Sequence, residues 1–131
     1  MLPTTRLLAL LSLTLLCAMA RAEPDRQIAE GQKLWQQRCA ECHAIDSNET
    51  GPMHRGVVGR RIGSVKGYDY SPALRQVKER WDAAALDRWL TDPEQFLPGQ
   101  NMDFKVTAQE ERAALIAYLK TLSAPQVAGV R

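Results

Sequence analysis

Two stretches of this chain carry apolar residues at a helical period, and they flank an irregular centre. Ile28, Gly31, Leu34 and Trp35 recur at three- and four-residue spacing, which predicts a helix from about Arg26 to Gln37 with one buried face. Toward the other end, Ala114, Leu115, Tyr118, Leu119 and Leu122 form a second stripe. Thr107 and Glu110 read as a capping box ahead of it, so a helix is expected from Ala108 to Leu122. Between the two, Ser71 and Pro72 read as N-cap and first residue of a short helix to about Glu79. Asp82 caps another, which Pro93 ends near Thr91. Nothing in the chain reads as a sheet.

Glycine and proline are dense only from Gly51 to Gly67, and no repeat, low-complexity tract or long linker interrupts residues 27–122. The expectation is one all-α domain of about four to five helices with long loops. Four modest apolar stripes cannot easily enclose so irregular a centre unless it packs around something large. A cofactor would meet that need.

Composition adds little to this picture: 131 residues, 45% apolar and 24% charged, describe one small globular domain. The N-terminus changes it more. Met1 to Arg6 is short and basic, Leu7 to Ala20 is almost wholly apolar, and Ala20-Arg21-Ala22 offers small residues at a cleavage point. Residues 1–22 are therefore read as a secretory signal peptide and 23–131 as the mature domain. The competing reading is a retained anchor, but the apolar run is shorter than the roughly 20 residues that span a bilayer. Cys17 lies inside this run and reads as a discarded apolar residue, since Leu16 precedes it where a lipoprotein signal wants a small one.

Cleavage would remove Arg6 and Arg21 and no acid, so 17 basic against 15 acidic residues becomes 15 against 15, a formal charge of zero. A near-neutral domain with scattered basic residues argues against a nucleic-acid partner.

The chemistry centres on Cys39-Ala40-Glu41-Cys42-His43, the Cys-x-x-Cys-His pattern of covalent haem attachment. Cysteines three apart at a helix end lie on neighbouring positions of one face, where two sulfurs can form thioethers with the vinyl groups of one porphyrin edge. His43 then falls beneath the iron. Three other readings of the same residues are a disulfide in an oxidising compartment, a zinc site and a redox-active dithiol. Zinc lacks ligands, because only His54 would remain to join Cys39, Cys42 and His43. A thioredoxin-like dithiol wants a βαβ context that is missing, which leaves the disulfide as the strongest competitor.

A second iron ligand has three soft or imidazole candidates in the mature chain: Met53, His54 and Met102. Met102 ends Phe96-Leu97-Pro98-Gly99-Gln100-Asn101-Met102, a Pro-Gly turn able to hold one thioether at a fixed distance. A lone methionine is as readily a core gap-filler, so the residues alone leave this position open.

Residues 27–122 closely resemble class I cytochromes c of the mitochondrial and bacterial c2-like type. Matching segments occur in order: Gly31 and Trp35 before the haem motif, Thr50-Gly51-Pro52, Gly59-Arg60, Gly67-Tyr68-Asp69-Tyr70-Ser71, Trp81, Pro98-Gly99-Gln100-Asn101-Met102 and Ala117-Tyr118-Leu119-Lys120. The resemblance implies the cytochrome c fold, all helices and loops wrapped around one covalently bound haem c. It implies His43 as proximal and Met102 as distal iron ligand, with Cys39 and Cys42 carrying the thioethers. The Pro52 carbonyl would orient the histidine ring, and Arg60, Tyr70 and Trp81 would contact a haem propionate. Gly31 and Tyr118 match the crossing of first and last helices.

Departures from the family pattern are equally specific. Gln100 and Asn101 stand where Thr and Lys are common before the ligand methionine, and Trp89 stands for a Tyr beside it. His54 occupies a usually apolar position near the haem, either turned to solvent or a polar perturbation of the pocket, with no ligand role assigned. The stretch from His43 to Pro52 is shorter than in mitochondrial proteins and points to a bacterial variant.

The function implied is that of a carrier and not an enzyme. With both axial positions filled, iron has no open site, and reversible one-electron transfer remains. The leading expectation is a soluble periplasmic shuttle between redox protein partners (an oxidase, reductase or dehydrogenase), monomeric by default and without stable membrane insertion after cleavage. A peroxidase or ligand-sensing protein with a weak Met102 bond, and a dedicated subunit of one dehydrogenase, are the alternatives. Arg55, Arg60, Arg61 and Lys66 form a loose basic cluster that would suit an acidic partner, or simply a solvated face.

Overall fold

The computed structural model describes residues 23–123. The expected signal peptide, residues 1–22, lies outside that range. Among the described residues five helices run in order: α1 (residues 23–38), α2 (Pro72–Gln76), α3 (Ala83–Thr91), α4 (Pro93–Phe96) and α5 (Gln109–Thr121). Among the described residues the only pairing of extended chain is an isolated antiparallel bridge between Arg61 and Arg80.

The first and last helices cross where Gly31 meets α5. A Cβ on Gly31 would collide with the Ala114 carbonyl oxygen and stand 2.9 Å from Tyr118 Cβ, so only glycine lets the two backbones approach. Arg38 closes the outer end of this crossing with a forked pair to Glu111, at 2.6 and 2.8 Å. Beneath it Leu34, Trp35, Ala114, Leu115, Tyr118 and Leu119 are buried in one cluster with Leu86, Leu90 and Val106. Both expected apolar faces are thus the ones that bury.

Besides the start of α1 at residue 23, where the sequence predicts about Arg26, the helices depart from the sequence expectation in three places, the first two for a tertiary reason. The helix α2 stops at Gln76 instead of reaching Glu79, because Val77 turns extended and the chain beyond it pairs with residues 59–62. Ile62 N–H donates to Glu79 O at 2.9 Å, Trp81 N–H to Arg60 O at 2.9 Å and Gly59 N–H to Trp81 O at 2.8 Å. Those groups cannot also serve a helix.

The capping box at Thr107 does not form. α5 starts one residue later with Ala108 as N-cap and no side-chain cap. The buried Arg112 explains this: its guanidinium donates to the carbonyls of Val106 and Thr107 at 3.0 and 2.9 Å and to Asp87 at 2.7 Å. It ties the incoming strap to α5 and α3, the work a cap would otherwise do.

The third departure is α4, a helix absent from the sequence expectation. Asp92 accepts from Gln95 N–H at 3.0 Å and Pro93 sits in the first turn, the same N-cap and proline signal that Ser71 and Pro72 give α2. After α4, Gly99 takes a left-handed φ of +84°. The Glu94 carboxylate accepts from its N–H at 3.1 Å, and Lys105 pairs with Asp92 at 2.7 Å. Val106, fully buried, donates its N–H to Leu90 O at 2.8 Å, which returns the chain to the core.

Candidate haem site

The attachment motif occupies the turn that ends α1. Cys39 and Ala40 N–H groups both reach back to Trp35 O, at 2.9 and 3.1 Å, and Cys42 and His43 N–H groups to Cys39 O, at 3.1 and 2.9 Å. The turn keeps both cysteines and the histidine on one short coil. Cys39 and Cys42 are not joined in a disulfide; Cys39 is partly buried and Cys42 exposed. Burial pushes the Cys39 thiol up to about 11, against the pull of Arg38 and with a small push from Cys42. Among the described residues no three of His, Cys, Asp and Glu converge on a metal position.

His43 is held from three sides. Its Nδ1 lies 2.8 Å from Pro52 O, so Nδ1 carries the proton and the Nε2 lone pair is left free. Gly51 lies against the Nδ1–Cε1–Nε2 side of the ring: a Cβ there would collide with Cε1 and stand 2.5 Å from Nδ1 and 2.7 Å from Nε2. The His54 ring stacks on His43 with centroids 4.2 Å apart and planes 23° from parallel. Burial lowers the pKa of His43, more than the Pro52 carbonyl raises it, so the ring is neutral and can bind as a base.

His54, which the sequence allows to face either solvent or the pocket, turns inward. Trp35 Nε1–H donates to its Nδ1 at 2.7 Å, which places its own proton on Nε2. Burial, then repulsion from His43 and Arg60, pushes its pKa down to about 3, so it stays neutral.

Arg60 points into the same region from the far end of this loop. Its two terminal nitrogens donate to Arg55 O and Met53 O, both at 2.9 Å, while its buried Nε has no partner. Tyr70 is buried with its ring edge on Tyr68 at 4.7 Å, and the Tyr68 hydroxyl donates to Thr50 O at 2.7 Å. Trp81 is buried against Trp89 and Phe96, with centroids 5.3 and 6.0 Å away. Met102 is partly buried and packs on the main core, its N–H donating to the Gln100 side-chain carbonyl.

Of these contacts, the closeness of Gly51 to His43, the Trp35–His54 bond and the Glu94 clamp have no counterpart in the sequence expectations. A glycine one residue before the ring-binding carbonyl is the available signal for the first. The others join residues that share no local pattern. The basic cluster also dissolves in part. Arg55 is forked onto Asp46 at 2.7 and 2.9 Å, and Arg60 is spent on backbone carbonyls, so Arg61 and Lys66 are its exposed remainder.

The cytochrome c family model matches residues 28–123. The chain belongs to the cytochrome c family. It is 38% identical over 104 residues to cytochrome c 2.1 of Caenorhabditis elegans, covering 77% of this chain and 94% of that one. It is 39% identical over 95 residues to cytochrome c of Euglena viridis, covering 70% and 93%. Among solved structures, cytochrome cH from Methylobacterium extorquens matches with a TM-score of 0.69 and 38% identity, covering 72% of this chain and 97% of that chain.

As a cytochrome c, the chain carries haem c covalently and works as an electron carrier among redox partners, without substrate turnover of its own. Its residues fit that cofactor on their own geometry. Two unbridged cysteines share one turn, a neutral imidazole has an unengaged Nε2, and a buried arginine N–H lacks an acceptor of the kind a propionate supplies. Among the described residues no helix is long and apolar enough to cross a membrane.

Proposed function

We propose that this cytochrome c is an exported periplasmic electron shuttle whose haem is anchored by Cys39 and Cys42 and ligated by His43 and Met102. The observation that carries the ligand reading is the 2.8 Å bond from His43 to the Pro52 carbonyl. It spends Nδ1 and directs the remaining lone pair of a neutral ring to a metal.

When bound, the haem supplies an iron that cycles between ferrous and ferric by one electron. The chain's residues set how. His43 would offer Nε2 to the iron, while its Nδ1–H donates to Pro52 O. The Met102 thioether would serve as the second ligand, leaving no position for a substrate, and so soft a ligand would favour the ferrous form. The clamp of Glu94 on Gly99 and Gln100 holds the loop that presents it. Arg60, Tyr70 and Trp81 are assigned to the propionates, where donor groups offset the cost of a carboxylate in a half-buried setting. A haem held in this way would exchange electrons without binding a substrate. Brief, weak docking by redox partners suits that task.

Export rests on the reading of residues 1–22 as a cleaved leader and on the attachment motif itself. Expression with the native leader in a bacterium that matures c-type haem, followed by fractionation and intact-mass measurement, tests it. The reading requires haem-loaded protein in the periplasm at the mass of residues 23–131 plus one haem. Uncleaved or cytoplasmic protein contradicts it.

A further inference from the structure

The polar pair behind the His43 ring has no part in the ligand set. Trp35 comes from α1 and His54 from the central loop, 19 residues apart in sequence. The indole donates to Nδ1 at 2.7 Å, a direction that requires His54 to present a bare nitrogen there and so fixes both its tautomer and its ring rotation. The two rings also meet edge to face at 5.9 Å. So held, His54 lies on His43 at 4.2 Å and 23°. Trp35 is itself immobilised: it is buried and packs on Tyr118 at 6.2 Å, at the crossing of α1 and α5. His54 is tied to the backbone too, since its N–H donates to Ala44 O at 3.0 Å, one residue beyond His43.

We propose that Trp35 and His54 form a brace that sets the plane of the His43 ring about its iron bond. A Pro52 hydrogen bond at Nδ1 fixes the ring's tautomer and Gly51 bounds one side of the ring, but neither presents a flat group to its face, so the plane can still swing. A flat ring stacked on its face removes that freedom, and the indole bond keeps the flat ring from turning. An aliphatic side chain at position 54 would fill the volume without defining an angle. The helix crossing thereby reaches the ligand through two side chains. His54 is a positioning residue, since it acts through His43. The inference rests on His43 ligating the haem iron.

The test is the proton spectrum of the ferric haem-loaded protein, in which the spread and order of the haem-methyl shifts report the orientation of the axial histidine plane. Four forms are compared: wild type, His54→Leu, Trp35→Phe and the double variant. Thermal melting is recorded alongside. The brace predicts a reordered methyl pattern in His54→Leu, a change of the same sense in Trp35→Phe, and a double variant equal to His54→Leu alone, because Trp35 works only through His54. His54→Asn, which keeps a flat group and an acceptor for the indole, should restore most of the wild-type pattern. In the wild type, the Trp35 indole proton should exchange at least tenfold more slowly than a free indole.

A lowered melting temperature with an unmoved methyl pattern in His54→Leu would mean that the pair is packing alone, and the proposal fails. Additive effects in the double variant overturn it as well, and a freely exchanging Trp35 indole overturns it without any variant. A wild-type spectrum without a histidine-ligated low-spin haem removes the ligand reading itself, and the brace with it.

Discussion

Gly51 and His43 touch so closely that a Cβ on Gly51 would overlap the imidazole carbon Cε1. The chain has no slack to absorb the extra atom: Gly51 N–H donates to Cys42 O at 2.6 Å, and Glu49 N–H to Gly51 O at 2.9 Å. Gly51→Ala is therefore expected to displace the ring and loosen its bond to Pro52, at a cost of about 1–3 kcal/mol, the usual range for overpacking. Urea unfolding of the haem-loaded protein measures the cost. A visible spectrum identical to wild type together with an unchanged midpoint would show that the contact is slack.

The crossing at Gly31 makes a contrasting case, where damage should leave the haem spectrum alone. A methyl group against the Ala114 carbonyl forces α1 and α5 apart. Gly31→Ala should lower stability by about 1–3 kcal/mol. The check is a urea midpoint shift in a protein whose absorption spectrum is that of the wild type, and retention of full stability contradicts the close approach.

Arg112 joins three carbonyl or carboxylate oxygens on two elements while nearly fully buried. Arg112→Met keeps much of its volume but leaves the carbonyls of Val106 and Thr107 without their donor. Stranding buried acceptors costs about 1–3 kcal/mol. Denaturant titration should show that loss, and amide exchange should quicken first at Val106 and the start of α5.

How much of the structure is legible in the sequence depends on the separation of the residues involved. The attachment motif and both helical stripes are local patterns, and the residues Leu34, Trp35, Ala114, Leu115, Tyr118 and Leu119 bury as their spacing implies. Contacts made at long range are legible only where the family resemblance supplies them, as at the crossing of Gly31 and Tyr118. Nothing near Thr107 shows that Arg112 will take over its capping role, and nothing near Glu79 shows that residues 59–62 will claim it. His54 is the sharpest case: its position is unusual in the sequence, but which way it faces is decided by an indole 19 residues away. The Asp92-Pro93 start of α4 is a different failure, since the local signal is present but merges with the Pro-Gly turn after it.

The loop bearing Met102 depends on Glu94, whose carboxylate accepts from Gly99 N–H and from the Gln100 side chain. Glu94→Ala removes both anchors from an otherwise exposed turn. The expected result is a ferric far-red band that bleaches at lower temperature than in wild type, with a smaller change in global melting. Equal shifts in the two transitions would deny the clamp a specific role.

The central claim is a covalent haem ligated by His43 and Met102, and the ferric visible spectrum of the mature protein tests it most directly. Wild type should give a thioether-type pyridine haemochrome, a low-spin spectrum with the far-red band of sulfur ligation, and no carbon monoxide binding by the ferrous form at neutral pH. Met102→Ala should keep the covalent haem, lose the band and bind carbon monoxide. A band that survives in Met102→Ala, or a wild type that binds carbon monoxide rapidly and completely, would contradict the account.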